Sequence, residues 1–337
     1  MELGSILQFL ENRSILVTGA TGFLAKIFVE KILRVQPHVK KLYLLLRASD
    51  TNAAMLRFSN EIIGKELFKV LKEKNGANLS SLIAEKVRVV AGDITFENLG
   101  VNDLSLLEEM LTEIDVVVNL AATTNFDERT IDSLAVGYGK GRLTCFLGDP
   151  TTVVDVIPAD MVVNAIVVAM VAHADQANES VYHVGSSVSN PVEYASLQSY
   201  GLGYFSAHPW IDKNGNPIVV RKMTVFNTME SFQRYMRLRY LLPLKGLQML
   251  NTACCQYFQQ TYIEKYRKIK FVMRLIDLYA PYLFFKAFYD DMNTEKLRSA
   301  AKELETEMFY FDPKTINWDD YFMNTHIPGV VKRVFRN

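Results

Sequence analysis

Along the first third of the chain, short apolar runs alternate with longer stretches in which apolar residues return every three or four positions. The runs are Ser14–Val17, Lys41–Leu46, Lys86–Ala91 and Asp115–Leu120. The first, second and fourth are almost continuously apolar, as strands covered on both faces are. Between the first two runs, Phe23, Ile27, Phe28, Ile32 and Leu33 mark one face of a helix from Phe23 to about Val35. The second gap is longer and reads as helix across Ala53–Lys72, then more loosely across Asn75–Ser81. Strand and helix therefore alternate as βαβαβαβ, which predicts a parallel sheet.

After Asp127 the alternation stops. A complete doubly wound sheet needs two further strand–helix units of roughly thirty residues each. Instead Glu128–Asp132 runs into the glycine-rich Leu134–Gly141, read as turns, followed by β-like pieces at Leu143–Leu147 and Thr152–Val156. Asp160 is placed to cap a helix from Met161 to about Ala172. Val181–Val184 predicts another strand, ending in Gly185-Ser-Ser187. Beyond Pro191 the chain turns mostly helical and aromatic-rich. A soft boundary near 195–200 divides it into residues 1–195 and residues 196–337.

The join between the first run and the first helix carries the chemistry. It reads Thr18-Gly-Ala-Thr-Gly-Phe-Leu-Ala-Lys26. A strand, a glycine turn and a helix start together cradle a dinucleotide pyrophosphate: the glycines let the backbone approach, and the helix start offers amides and a positive dipole end. The competing reading is a turn whose glycines serve local packing only. Thr18, Gly19, Thr21, Gly22, Phe23 and Leu24 form the candidate cradle. The Gly-x-x-Gly-x-x-Ala spacing looks like that of extended short-chain dehydrogenases/reductases. The second strand ends in Arg47, where an arginine suits the 2′-phosphate of NADP and an acid would suit NAD; an ordinary exposed arginine is the plainer alternative. Asp93 and Ile94, after the third strand, are placed to reach the adenine edge. Small Ala121 and Ala122, after the fourth, would let a cofactor lie flat against the backbone, or would be core alanines. The expected fold class is α/β, a Rossmann-like parallel sheet that is incomplete, followed by a mainly helical C-terminal domain.

Composition narrows the function classes. The 337 residues are 49% hydrophobic and 22% charged, with 37 basic and 37 acidic residues. That balance gives no nucleic-acid signature. Three cysteines in this length (Cys145, Cys254, Cys255) suggest a reducing compartment and no disulfide framework, and no Cys/His cluster has metal-ligand spacing. No signal peptide, transit peptide or transmembrane helix is expected. Phe271–Phe288 is rich in large apolar residues interrupted by Arg274, Asp277, Pro281 and Lys286. It reads as a buried helix pair or as monotopic membrane contact.

Taken together, these residues resemble the alcohol-forming fatty acyl-CoA reductases, in particular their plant branch. Thr18–Lys26 looks like that family's nucleotide loop, and Val39–Ser49 is similar to its second strand. Ala91-Gly-Asp-Ile94 and Ala121–Arg129 resemble the ends of its third and fourth strands. Ile157-Pro-Ala-Asp-Met161 and Val184–Pro191 resemble the distal part of its reductase domain, and His326-Ile-Pro-Gly329 the close of its C-terminal domain. The resemblance implies NADPH-dependent reduction of a long-chain fatty acyl-CoA to a primary alcohol, by two hydride transfers through a bound aldehyde. It also implies work at the endoplasmic reticulum surface or in the cytoplasm, with peripheral membrane contact.

One departure stands out. In relatives a long central segment separates Asp-Glu-Arg from the equivalent of Ile131-Asp-Ser-Leu134. That segment holds a catalytic Ser/Thr and a Tyr-x-x-x-Lys helix, whose tyrosine protonates the carbonyl oxygen and whose lysine lowers the tyrosine pKa. Here Arg129 joins Thr130 directly, so the catalytic set is expected to be absent. Three other pairs have the spacing: Tyr266/Lys270, Tyr282/Lys286 and Tyr310/Lys314. Tyr282 and Lys286 are the weak candidates; Pro313 interrupts the third pair. Three readings follow: a fatty acyl-CoA reductase; a non-catalytic form that binds NADPH or pairs with full-length relatives; and a sugar or steroid reductase or epimerase of the same superfamily. Loss of two strand–helix units is also expected to leave an apolar edge prone to aggregation.

Overall fold

Four strands pair in parallel in the order β3-β2-β1-β4: β1 (Ser14–Thr18), β2 (Lys41–Leu46), β3 (Val87–Ala91) and β4 (Val116–Asn119). The computed structural model describes residues 4–121, 130–174, 176–301, 305 and 307–335. Register follows from alternation across the pleat. Ile15 pairs with Leu42 and Val116, and Leu16 with Tyr43 and Val117. Ile15, Val17, Leu42, Leu44 and Leu46 face one layer, in which the helices Phe23–Val35 and Ala159–Ala172 bury Phe28, Ile32, Val163 and Val167. Leu16, Tyr43, Leu45 and Val90 face the other, covered by Met110 of the helix Leu104–Glu113. Both faces of β1 and β2 are thus dry, which is why Ile15–Val17 and Leu42–Leu46 carry large, mainly apolar side chains at consecutive positions.

The chain divides into two units, and neither is continuous. The first comprises residues 1–125, 157–184 and 290–312; the second comprises 126–156, 185–289 and 313–337. A single boundary near 195 therefore does not describe the division. The late segment is bound into the first unit by polar contacts that carry no local sequence signature. The Glu305 carboxylate accepts from Ser5 Oγ at 2.6 Å and Ile6 N at 2.7 Å, holding the start of the helix Ile6–Leu10. Asn164 donates to the Tyr310 carbonyl, and Thr294 to that of His183.

The second unit has two small pairings, β5 (Cys145–Leu147) with β8 (Thr224–Phe226) in parallel and β6 (Val153–Val154) with β7 (Val192–Glu193) antiparallel. Its helices enclose Tyr138, Tyr204, Phe205, Trp318 and Phe322 in one core and Cys145, Leu147, Phe232, Met236 and Ile276 in another.

Several local expectations need correcting. Thr130–Gly139 is a helix rather than a run of turns. Its glycines give clearance: a Cβ on Gly139 would lie 2.5 Å from the Phe205 ring. Val181–Val184 forms no strand. The Ala159–Ala172 helix is preceded by Pro158 as N-cap, and Asp160 sits inside its first turn. Ala53–Lys72 is broken: the helices Thr51–Arg57 and Lys69–Asn75 flank a wider turn at Phe58–Ile63. Phe271–Leu283 belongs to one helix, Gln259–Leu283, rather than to a pair; Phe284, Phe285 and Phe288 follow it and are exposed. Among the described residues no helix is long and apolar enough to cross a membrane.

Candidate functional site

The carboxyl ends of β1 to β4 open on one groove of about 510 Å³, walled by residues of the first unit. Its base is the glycine turn. Gly19 has φ +65°, and a Cβ there would sit 2.6 Å from the Ala121 Cα and the Leu120 carbonyl oxygen. Only glycine lets β1 turn this close to β4. Gly22 donates its N–H to the Gly19 carbonyl at 2.7 Å and is the N-cap of the helix Phe23–Val35. The first turn of that helix carries no acidic residue, and first-turn amides have no acceptor within a helix. Together these features make an anion cradle.

Gly19, Thr21, Gly22, Arg47, Asp93, Ile94 and Ala121 all line this groove. The Arg47 side chain is 81% exposed, with Nε 4.0 Å from the Asp93 carboxylate. Asp93 accepts from the Thr95 N–H at 3.0 Å and hydroxyl at 2.8 Å, and these two bonds, more than Arg47, hold its carboxyl below the usual range. Ile94 is exposed to the groove and adds an apolar wall.

Three expected contacts lie elsewhere. Thr18 is buried, and its hydroxyl donates to Asn119 Oδ1, which also accepts from the Ala121 N–H. Thr18 thus fixes the strand ends and does not wall the groove. Leu24 packs against the core and Phe23 lies outside the lining, so neither side chain joins the site. Ala122 lies outside the described residues.

A residue not marked by the sequence pattern completes the wall. Arg57 donates Nη1 to the Arg47 carbonyl at 2.6 Å and pairs with Glu61 at 2.7 Å. The Glu61 carboxylate raises its pKa further. Its only sequence signal was an arginine near the end of the helix beyond β2, a position common on any exposed helix.

No tyrosine or lysine is among the described residues lining the groove. Tyr266 and Lys270 share the Gln259–Leu283 helix in the second unit, with Lys270 Nζ 5.8 Å from the Tyr266 ring centroid. Lys286 lies past the end of that helix and pairs with Asp149 at 2.6 Å, so it does not share a helix with position 282; the Tyr282 side chain lies outside the described residues. Lys314 sits in a short turn, Pro313–Thr315, which Tyr310 does not join.

The second unit encloses its own cavity of about 130 Å³. Leu134, Tyr138, Leu143, Phe146, Met223 and Phe322 make it apolar. His326 reaches its wall, with Nε2 3.3 Å from Asp132 Oδ1.

Comparison with known proteins agrees with this geometry. Residues 17–135 match the NAD-binding family model and residues 239–337 the Sterile family model, both described as male sterility protein. The alcohol-forming fatty acyl-CoA reductase of Simmondsia chinensis is 40% identical over an alignment of 489 positions, covering 99% of this chain and 99% of that protein. Fatty acyl-CoA reductase 1 of Arabidopsis thaliana is 36% identical, covering 98% and 99% respectively. An alignment of 489 positions against a chain of 337 residues leaves a large part of the relative without a counterpart here. The terminal R domain from the myxalamid PKS-NRPS biosynthetic pathway superposes with a TM-score of 0.58 at 14% identity, covering 96% of this chain and 92% of that one, a likeness of fold alone. From its two family-model matches and its near full-length similarity to these reductases, the chain belongs to the fatty acyl-CoA reductase family.

Proposed function

We propose that the groove at the ends of β1 to β4 binds NADPH, and that the reaction class of the chain is reduction of a long-chain fatty acyl-CoA to a primary fatty alcohol. The observation that carries this reading is one cradle holding Gly19, Gly22, Arg47 and Arg57 together. Gly19 and Gly22 leave room for a pyrophosphate against the backbone. Arg47 and Arg57 offer guanidinium groups to a 2′-phosphate, a match of planar fork to oxyanion that lysine makes less well. Asp93 and Ile94 fit an adenine, one edge polar and one face apolar. NADPH, when bound, supplies hydride. The apolar lining around Leu134, Leu143 and Met223 in the second unit suits the acyl chain of such a substrate. Exposed Phe284, Phe285 and Phe288 suit peripheral contact with a membrane such as that of the endoplasmic reticulum.

A second reading has its own support. Reduction of a thioester builds negative charge on the carbonyl oxygen, and a proton donor must meet it. The described groove offers no tyrosine–lysine pair for that task. On this reading the chain is a truncated form that holds NADPH, or pairs with a full-length relative, without turning over. One pair of experiments separates the two. NADPH binding is followed by nicotinamide fluorescence, and fatty alcohols are extracted from a yeast host expressing the chain and resolved by gas chromatography. Binding with alcohols supports the reductase; binding without alcohols, from soluble protein, supports the truncated form. Absence of NADPH binding in folded protein overturns both.

A further inference from the structure

The second unit carries a groove of about 730 Å³ on the side chains that follow the helix Thr130–Gly139 and on the helices around residues 237–272. Five cations converge on it: Lys140, Arg142, Arg239, Lys265 and Lys268. No Asp or Glu lines it, and none of the five pairs with a carboxylate among the described residues. That is unusual in a chain with as many acids as bases, since like charges gathered without counter-ions repel. Lys140 is braced over the Trp210 ring, 4.6 Å from its centroid. Partial burial first, and then Arg142 beside it, make the Lys140 ammonium easier to deprotonate.

The floor of the groove is different. Cys145, Met236 and Leu244 are buried there, and Ile269 and Val272 are half-buried. The Tyr240 hydroxyl and Thr144 Oγ1, 2.8 Å apart, add a polar step between rim and floor. A cationic rim over an apolar floor fits a ligand with several phosphates at one end and a slender, mostly uncharged arm.

We propose that this groove binds the phosphorylated nucleotide end of a coenzyme A thioester, the rim taking its phosphates and the floor its pantetheine arm. The inference rests on the acyl-CoA reading above and supplies the contact which that reading lacks. A diphosphate plus a 3′-phosphate matches five converging cations better than the single phosphate of a lipid headgroup does. The cations also ring a concavity, where a flat bilayer would leave the floor unfilled.

The test uses the whole chain and coenzyme A without an acyl group, followed by isothermal titration calorimetry. The variant is Lys265→Glu with Lys268→Glu, two exposed residues on one helix face. We expect coenzyme A affinity to fall at least about tenfold in this variant, as losing charge-assisted phosphate contacts should. It should also fall with added salt in the parent, and dephospho-coenzyme A should bind more weakly than coenzyme A. NADPH affinity should not change, because the glycine cradle is untouched. Coenzyme A binding that is lost in the variant supports the groove even where NADPH binding fails, a failure that counts against the nucleotide cradle alone. Equal coenzyme A affinity in parent and variant overturns the proposal. So does the parent binding phosphatidylserine-containing vesicles but not coenzyme A, which would assign the groove to a lipid phosphate. A variant with an unaltered melting temperature guards against misfolding, and Lys268→Ala alone, expected to act in the same direction, guards against an effect of the introduced acids.

Discussion

A single added carbon at Gly19 tests the cradle. At φ +65° an alanine pays about 1–2 kcal/mol for the left-handed backbone. Its Cβ would also stand 2.6 Å from the Ala121 backbone, which has no side-chain rotation to relieve it. Gly19→Ala should therefore destabilise the protein by about 2 kcal/mol or more and abolish NADPH binding. Gly246→Ala is the matched control. It sits inside the helix Leu242–Ala253 with nothing within 4 Å of a new Cβ, so it should gain up to about 1 kcal/mol and leave binding intact. Thermal melts and NADPH fluorescence read both. The arginines divide the same way. Arg57→Ala should weaken NADPH about tenfold, the smaller end of a lost hydrogen bond to a charged group, with NADH unaffected. Equal losses for the two nucleotides would place Arg57 outside the 2′-phosphate contact. The sequence marks Gly19 and Arg47 because a turn and a strand end constrain them. It does not mark Arg57, because a helix surface tolerates arginine anywhere and only the fold brings residue 57 over residue 47.

Elements were legible in proportion to how uniform their surroundings are. The strands β1 and β2 are readable because burial on both faces demands apolar residues, whereas β4 reads as a strand from its valine run although Val117 is exposed. The helix Thr130–Gly139 is not readable, because Gly137 and Gly139 look like turn residues until the neighbours they admit are known. Phe205 is fully buried, so Gly139→Ala cannot be absorbed by a free ring. Overpacking there should cost about 1–3 kcal/mol, seen as a lower denaturation midpoint at constant slope. A change smaller than the error of the melt would mean that the ring moves freely. Acid should weaken the same unit. Lys286, first, and then the Thr151 amide and hydroxyl hold Asp149 at about 2, below its ordinary 3.8. A folded pKa below the unfolded one stabilises above the unfolded value and is lost as pH falls through the folded one. The contribution is therefore complete above about pH 5, is lost progressively as pH falls, and is gone by about pH 1. Asp149→Asn should flatten stability across that window and change little in the steepness of the curve at neutral pH.

At the scale of the whole molecule, the missing part of the sheet decides behaviour. Counting strand–helix units already leaves the Rossmann-like sheet short, and the long alignment with relatives agrees with the count. Where the late segment returns was not legible, because Glu305 and Tyr310 are joined to distant parts of the chain by a few specific hydrogen bonds rather than by a repeating pattern. The structure ends its sheet at β4, and among the described residues no strand pairs with the outer side of that strand. Val117, in the middle of β4, is 61% exposed. An apolar edge strand with open N–H and C=O groups invites a second chain to add to it. Charged residues on an edge are the usual protection, because a lysine cannot be buried against another strand without losing its hydration. Val117→Lys should therefore raise the soluble fraction on expression and shift the protein toward monomer in size-exclusion chromatography. Its NADPH affinity should stay the same, since Val117 does not line the groove. The same aggregation in parent and variant would mean that the exposed edge is not what associates, and would turn attention to the aromatic run from Phe284 to Tyr289.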